Sequence, residues 1–172
     1  MDSYITWVDT LNISSTNLRS EQSQAILRAI SEGCKLTYLD LSHNYESSVE
    51  RGVLTRAVTG VITLYLSRTM LTTDQAETVL NVICQGSTLK KLNIHVTSLS
   101  GVNPDLMARA VNKLERVEII GRPHLTSQKI SLILTNSLVM TSLISLNIGY
   151  GGYGINQAII KQVRCKYTLS LM

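Results

Sequence analysis

Phenylalanine is absent from this 172-residue chain, and tryptophan occurs once, at Trp7. Globular interiors usually draw on aromatic bulk; a core built almost wholly from Leu, Ile and Val suits a structure of many identical narrow layers. Cysteine is scarce and unorganised. Cys34, Cys84 and Cys165 show neither CxxC nor Cys–His spacing, which excludes a disulfide framework and points to reduced thiols in a cytosolic setting. No window approaches the ~18 apolar residues of a membrane span. The opening MDSYITWVDT has neither the basic start nor the apolar stretch of a signal peptide. The expectation is a cytoplasmic chain with no membrane partner, in which the sequon Asn12-Ile13-Ser14 stays unglycosylated.

Excess charge is lacking too. Sixteen Lys and Arg against twelve Asp and Glu leave +4, and the longest local cationic feature is Lys90-Lys91. That is too little and too dispersed for a nucleic-acid partner. Hydrophobic residues reach 44%, which excludes a disordered tail. The length accommodates one domain, residues 1–172, with a real core.

What is present is a repeat. An apolar residue, two variable, an apolar, one variable and a further apolar recur six times. The sets are Val8, Leu11, Ile13; Leu36, Leu39, Leu41; Val61, Leu64, Leu66; Leu89, Leu92, Ile94; Leu114, Val117, Ile119; and Leu143, Leu146, Ile148. The starts near 8, 36, 61, 89, 114 and 143 are separated by 28, 25, 28, 25 and 29 residues. The spacing alternates, so the larger unit is a long–short pair. Residues 8–35 and 61–88 share ten identities in 28, and Arg56-Ala57-Val58 matches Arg109-Ala110-Val111.

Each part of the unit has a physical reading. The second and third apolar positions lie two apart, as on one face of a short strand. The period then becomes helical: Ala25, Ile26, Leu27, Ile30 in the first unit, and Ala76, Val79, Leu80, Ile83 in the third. Asn103, Pro104 and Asp105 read as an N-cap, a first-turn proline and an acid at the positive end of the dipole. Thr72 and Gln75 have capping-box spacing; Gly33 and Gly86 fall where the long helices should stop. Losing three residues removes about one turn at ~3.6 residues per turn, so the 25-residue units should carry shorter helices. No such unit buries its own apolar face, so neighbours must stack. Parallel strands then line a concave side and helices a convex one, six strands making an open arc roughly 24 Å wide.

The segment LTYLDLSHN, residues 36–44, is similar to the signature of leucine-rich repeats. With units near 28 residues, residues 5–155 resemble the ribonuclease-inhibitor-like class. The resemblance implies an α/β solenoid in which Asn44 caps backbone groups at the turn, and binding of proteins rather than chemistry. The equivalent position is Thr16, Thr69 and Thr97 in three repeats, where a hydroxyl can serve the same turn. It is Arg122 and Gly151 in the last two, where irregular turns are expected.

Strand alternation places three outward rows. The central one runs Asn12, Asp40, Tyr65, Asn93, Glu118, Asn147; beside it lie Thr10, Tyr38, Thr63, Lys91, Arg116, Ser145 and Ser14, Ser42, Ser67, His95, Ile120, Gly149. The middle repeats concentrate Tyr38, Asp40, Tyr65, Arg68, Lys91, Asn93, His95, Arg116 and Glu118, the expected partner-binding patch. Tyr and Arg are enriched at interface hot spots. The alternative is a plain solvated face, with Lys91 and Arg116 merely beside Glu118.

No catalytic residue, cofactor or metal is expected. His43, His95 and His124 sit in different repeats without metal-ligand spacing, and no nucleophile turn accompanies Asp40 and His43. The glycines at 149, 151, 152 and 154 lack the Lys-Ser/Thr of a phosphate loop. Residues 166–171, KYTLSL, read as the opening of a seventh strand. They are expected to be a junction to a longer array, a self-associating edge, or the cap itself. The leading expectation is a non-enzymatic module that binds a partner protein through the concave strand face. A structural or assembly element, or a sensor piece of a larger receptor, is the alternative.

Overall fold

The structure, a computed structural model, describes residues 8–32, 35–44, 48–95, 99, 101–120, 126–138, 142–148, 157–166 and 168–171. Strands and helices alternate without exception among them. The strands are β1 (Thr10–Asn12), β2 (Tyr38–Asp40), β3 (Thr63–Leu66), β4 (Lys91–His95), β5 (Arg116–Ile120), β6 (Ser145–Ile148) and β7 (Thr168–Leu171). Between them lie α1 (Ser20–Ser31), α2 (Arg51–Thr59), α3 (Thr73–Cys84), α4 (Pro104–Val111), α5 (Ser127–Ser137) and α6 (Gln157–Lys166). The protein is α/β: one seven-stranded parallel sheet in which strand order is chain order. No helix among the described residues is long and apolar enough to cross a membrane.

Pairing is in register from end to end. Leu11, Leu39, Leu64, Leu92, Val117, Leu146 and Leu169 form one row of partners, and Leu66, Ile94, Ile119, Ile148 and Leu171 another. Leu39, Leu64, Leu66 and Leu146 are fully buried, and Leu92, Ile94, Val117 and Ile119 nearly so. A one-residue slip would turn both rows to the opposite face, so the apolar pattern sets the register. Against these rows pack the helical stripes, among them Leu27, Leu54, Ala76, Val79, Met107, Ala110 and Ile133, and each helix lies on the next. Val8 departs from its row at 42% exposure, because it belongs to the edge layer.

Helix lengths alternate as the spacing requires: 12, 9, 12, 8 and 11 residues from α1 to α5. Asn103 caps α4, its side chain accepting from the N–H groups of Asp105 at 2.8 Å and Leu106 at 3.3 Å. Thr72 and Gln75 close a reciprocal box, with the Thr72 N–H donating to Gln75 Oε1 at 2.9 Å and the Gln75 N–H to Thr72 Oγ1 at 3.3 Å. Gly86 follows α3 at φ 103°, in the left-handed region. Gly33 lies outside the described residues, as do Thr97, Arg122, Gly151 and the glycine cluster.

The same backbone bonds recur at equivalent places. The carbonyls of Asp9, Thr37, Ile62, Lys90 and Glu115 each accept two N–H groups from the start of the next strand, at 2.7–3.1 Å. After the strands, Ser15, His43 and Arg68 occupy the left-handed region; the N–H of Ser15 donates to Ser42 O, and that of His43 to Ser67 O. Asn44, 1% exposed, ties two layers together. Its Nδ2 donates to Ile13 O at 2.7 Å and Leu41 O at 3.1 Å, while Oδ1 accepts from the Leu18 N–H at 3.1 Å. The threonines keep part of this: Thr16 donates to Ile13 O at 2.6 Å and Thr69 to Leu66 O at 2.8 Å.

The expected seventh strand is present with a later start. Lys166 closes α6, Tyr167 is outside the description, and β7 pairs with β6 from Thr168 to Leu171. The helical period of QAIIKQVRCK runs two turns past the apolar pair Ile159–Ile160 and carries Lys166 with it.

Candidate functional site

Successive side chains of a strand point to opposite faces, so burying Leu39, Leu64, Leu92 and Val117 sends their neighbours outward. In-register pairing aligns Thr10, Tyr38, Thr63, Lys91, Arg116 and Ser145 in one row and Asn12, Asp40, Tyr65, Asn93, Glu118 and Asn147 in the next. Both rows match the alignment read from the sequence. Lys91, Arg116 and Glu118 are exposed; Tyr38, Asp40 and Tyr65 are half-buried. Arg68 stands off the strand itself, exposed in the turn after β3 at φ 54°. His95 ends β4 with Ile120 as its register partner; its side chain lies outside the described residues, as does His124.

Asn93 is a departure from a solvated row, being only 7% exposed. It sits in a chain of side-chain bonds that runs from the turn after β3 across β4 to β5. The Ser67 hydroxyl donates to Asn93 Oδ1, and Asn93 Nδ2 donates to Glu118 Oε2 at 2.7 Å. Asn93 therefore braces the face instead of presenting a free amide. Ser42 is buried as well, at 7%, and its N–H turns back to Asp40 Oδ1 at 2.9 Å.

On the β2–β3 side the rings of Tyr38 and Tyr65 meet with centroids 5.5 Å apart, tilted 42°, a favoured aromatic arrangement. Burial raises the Tyr38 phenol above its ordinary value, and the Asp40 carboxylate, the neighbouring Tyr65 and the hydrogen bond to Asp40 add to the rise. Beside this pair, Leu64, Tyr65, Lys91, Leu92, Asn93, Arg116 and Glu118 line a depression of about 120 Å³. A larger hollow of about 450 Å³ lies by Arg19, Glu21, Gln24 and Ser48, away from the outward rows.

Lys91 and Arg116 are register partners on adjacent strands, two cations side by side. The ion pairs among the described residues are Arg28–Glu50, Arg51–Asp74 and Lys90–Glu115, so neither Lys91 nor Arg116 is neutralised there. Among the described residues no three His, Cys, Asp or Glu are grouped to hold a metal. His43 is exposed in its left-handed turn. The Cys84 thiol is raised by burial, against the opposing charges of Arg109 and Lys113.

Ser67 does more than its outward place in the third row foretells, because it anchors the Asn93–Glu118 chain. Strand alternation misses Met70, which follows β3 and stands 59% exposed at φ 51°. A signal for Met70 exists: it occupies the place of Asn17 one long–short pair earlier, also left-handed at φ 55°, and Asn is the residue that tolerates that region. No family model matches the chain, and no curated protein matches it.

Proposed function

We propose that the chain is a leucine-rich-repeat solenoid of the ribonuclease-inhibitor-like class, which performs no chemistry of its own and holds a partner protein on a concave strand face in the cytoplasm. The solenoid reading is supported by equivalences 53 residues apart. Gln24 Oε1 accepts the Glu50 N–H at 2.8 Å, and Glu77 Oε1 accepts the Asn103 N–H at 3.1 Å. Gln75 Nε2 donates to Val49 O at 2.8 Å, and Lys129 Nζ, at the matching place near the start of α5, donates to Val102 O at 2.7 Å. Layers that share both apolar rows and polar links stack as a continuous core.

The observation that carries the binding reading is the composition of the central face: a tilted Tyr38–Tyr65 pair against two exposed cations, Lys91 and Arg116, on rigid strands. Aromatic and guanidinium groups held on a stiff support make contact at little entropic cost. Paired capture from a lysate tests it, with wild-type chain against the triple variant Lys91→Glu, Arg116→Glu, Glu118→Lys and a helix-layer control, Arg51→Glu. A partner held by wild type and control and released by the triple variant is the expected result; equal capture by all three ends the strand-face reading.

A second reading, an assembly element or sensor piece joined through sheet edges, is favoured by β7, which among the described residues pairs on one side only. Such an edge is a template for another strand. Sedimentation showing a strict monomer at high concentration would end it.

A further inference from the structure

We infer that the occupant of the strand face is an acidic peptide segment of the partner, with one carboxylate seated between Lys91 and Arg116; this rests on the docking reading above and adds its chemistry. Like charges placed directly across a strand pair are destabilising, yet here they stand in register. The same two strands show the contrast one residue earlier, where Lys90 is neutralised by Glu115 at 2.6 Å. The fold thus pairs cation with anion just off the face, while Lys91 and Arg116 on it have no ion-pair partner among the described residues.

The carboxylates of the face are occupied from within. Asp40 accepts from the Ser42 N–H at 2.9 Å and bonds Tyr38. Glu118 accepts from Asn93, which is itself held by Ser67. These neutral donors hold one oxygen of each anion and leave its charge in place, so with Arg68 the described residues of this face carry one cation more than anions, and Lys91 and Arg116 have no ion-pair partner among them. The depression of about 120 Å³ beside them is well under the ~300–1,000 Å³ of small-molecule sites and suits one side chain. Tyr65 lines it, and Arg68, exposed in the turn after the same strand, adds a further cation. Nucleic acid is disfavoured by the same census. Three cations interleaved with two carboxylates make no phosphate track, where binding draws on roughly 6–10 phosphate contacts.

The test uses the full chain as bait for short random peptides displayed on phage, with enriched sequences resynthesised and titrated by fluorescence anisotropy. Enriched peptides should be rich in Asp and Glu relative to the library. They should weaken about tenfold or more against Lys91→Glu/Arg116→Glu, less against the uncharged Lys91→Gln/Arg116→Gln, and not against Arg51→Glu. Raising the salt to ~0.5 M, where the screening length falls below ~5 Å, should weaken them further. Thermal melts by circular dichroism confirm that each variant is folded. Neutral peptides that lose binding on Tyr65→Ala would overturn the acidic occupant and leave the strand-face reading standing. Peptides indifferent to Tyr65→Ala and to both charge variants would overturn both. Single-stranded RNA bound as tightly as the best peptide, or a selection with no enrichment, would also overturn the inference.

Discussion

Substituting Asn44 separates the bonds that join two layers from the bonds within one turn. The side chain is 1% exposed, so water does not replace what is removed. In Asn44→Ala the Leu18 N–H and the Leu41 carbonyl lose the partners they have at 3.1 Å each. Ile13 O loses its 2.7 Å donor but keeps the Thr16 hydroxyl at 2.6 Å. Two stranded groups at ~1–3 kcal/mol each place the loss at about 2–6 kcal/mol. Asn44→Thr should cost less, about 1–2 kcal/mol, because a hydroxyl there can donate to Leu41 O as Thr69 does to Leu66 O. Asn44→Asp keeps the acceptor for Leu18 but aims a carboxylate at two carbonyls. Burying that charge costs about 3–5 kcal/mol beyond the donor that is lost, so Asp should be worse than Ala. Its deficit should shrink in acid as the carboxyl is protonated and becomes a donor. Urea midpoints at neutral and acidic pH, with the slope unchanged, read the series. An Ala loss below ~0.5 kcal/mol, or an Asp no worse than Ala at neutral pH, would refute the claim that this side chain holds the layers together.

Four further outcomes are expected. The raised Tyr38 phenol means that the folded state holds its proton after the unfolded state has lost it. This stability is fully present below a pH of about 10, is lost as pH rises through the folded value, and should vanish from the alkaline urea profile of Tyr38→Phe. Burial lowers the Lys129 ammonium, with Glu77 opposing. Its contribution has the other sign: stability rises with pH between the folded value and about 10.4, and Lys129→Gln, restoring the residue found at Gln75, should remove that rise without unfolding the protein. Leu66→Ala, at a fully buried side chain, should cost ~3–5 kcal/mol, whereas Ile144→Ser, at a residue 52% exposed, should stay within ~0.5 kcal/mol. Gly86→Ala forces a side chain at φ 103° and should cost ~1–2 kcal/mol. Gly60→Ala meets nothing within 4 Å at φ −92° and should gain ~0.4–1 kcal/mol.

The sequence by itself determined which residues face the core and which face outward. Alternation within short strands and a helical period after them leave one burial solution, and equal spacing of the apolar sets brings Leu64 over Leu92 and Lys91 beside Arg116. The long–short alternation of helices follows from counting residues, and the Asn103 and Thr72 caps from side-chain chemistry that acts within four residues. What the tertiary structure decided depends on contacts between layers, which no local pattern encodes. It turned Asn93 from a solvated amide into a buried brace, because Ser67 on one side and Glu118 on the other close upon it. It placed Ser15, His43, Arg68 and Met70 in left-handed turns whose occupants are not glycine, and there the Ser15 and His43 N–H groups reach the carbonyls of Ser42 and Ser67 in the next layer. It also moved the start of β7 past Lys166, because the last helix continues three residues beyond the buried Val163. The cationic pair was legible as two letters in a row. That Lys90 is paired while Lys91 and Arg116 have no ion-pair partner among the described residues is a property of the folded face alone, set by which side chains reach one another across adjacent strands.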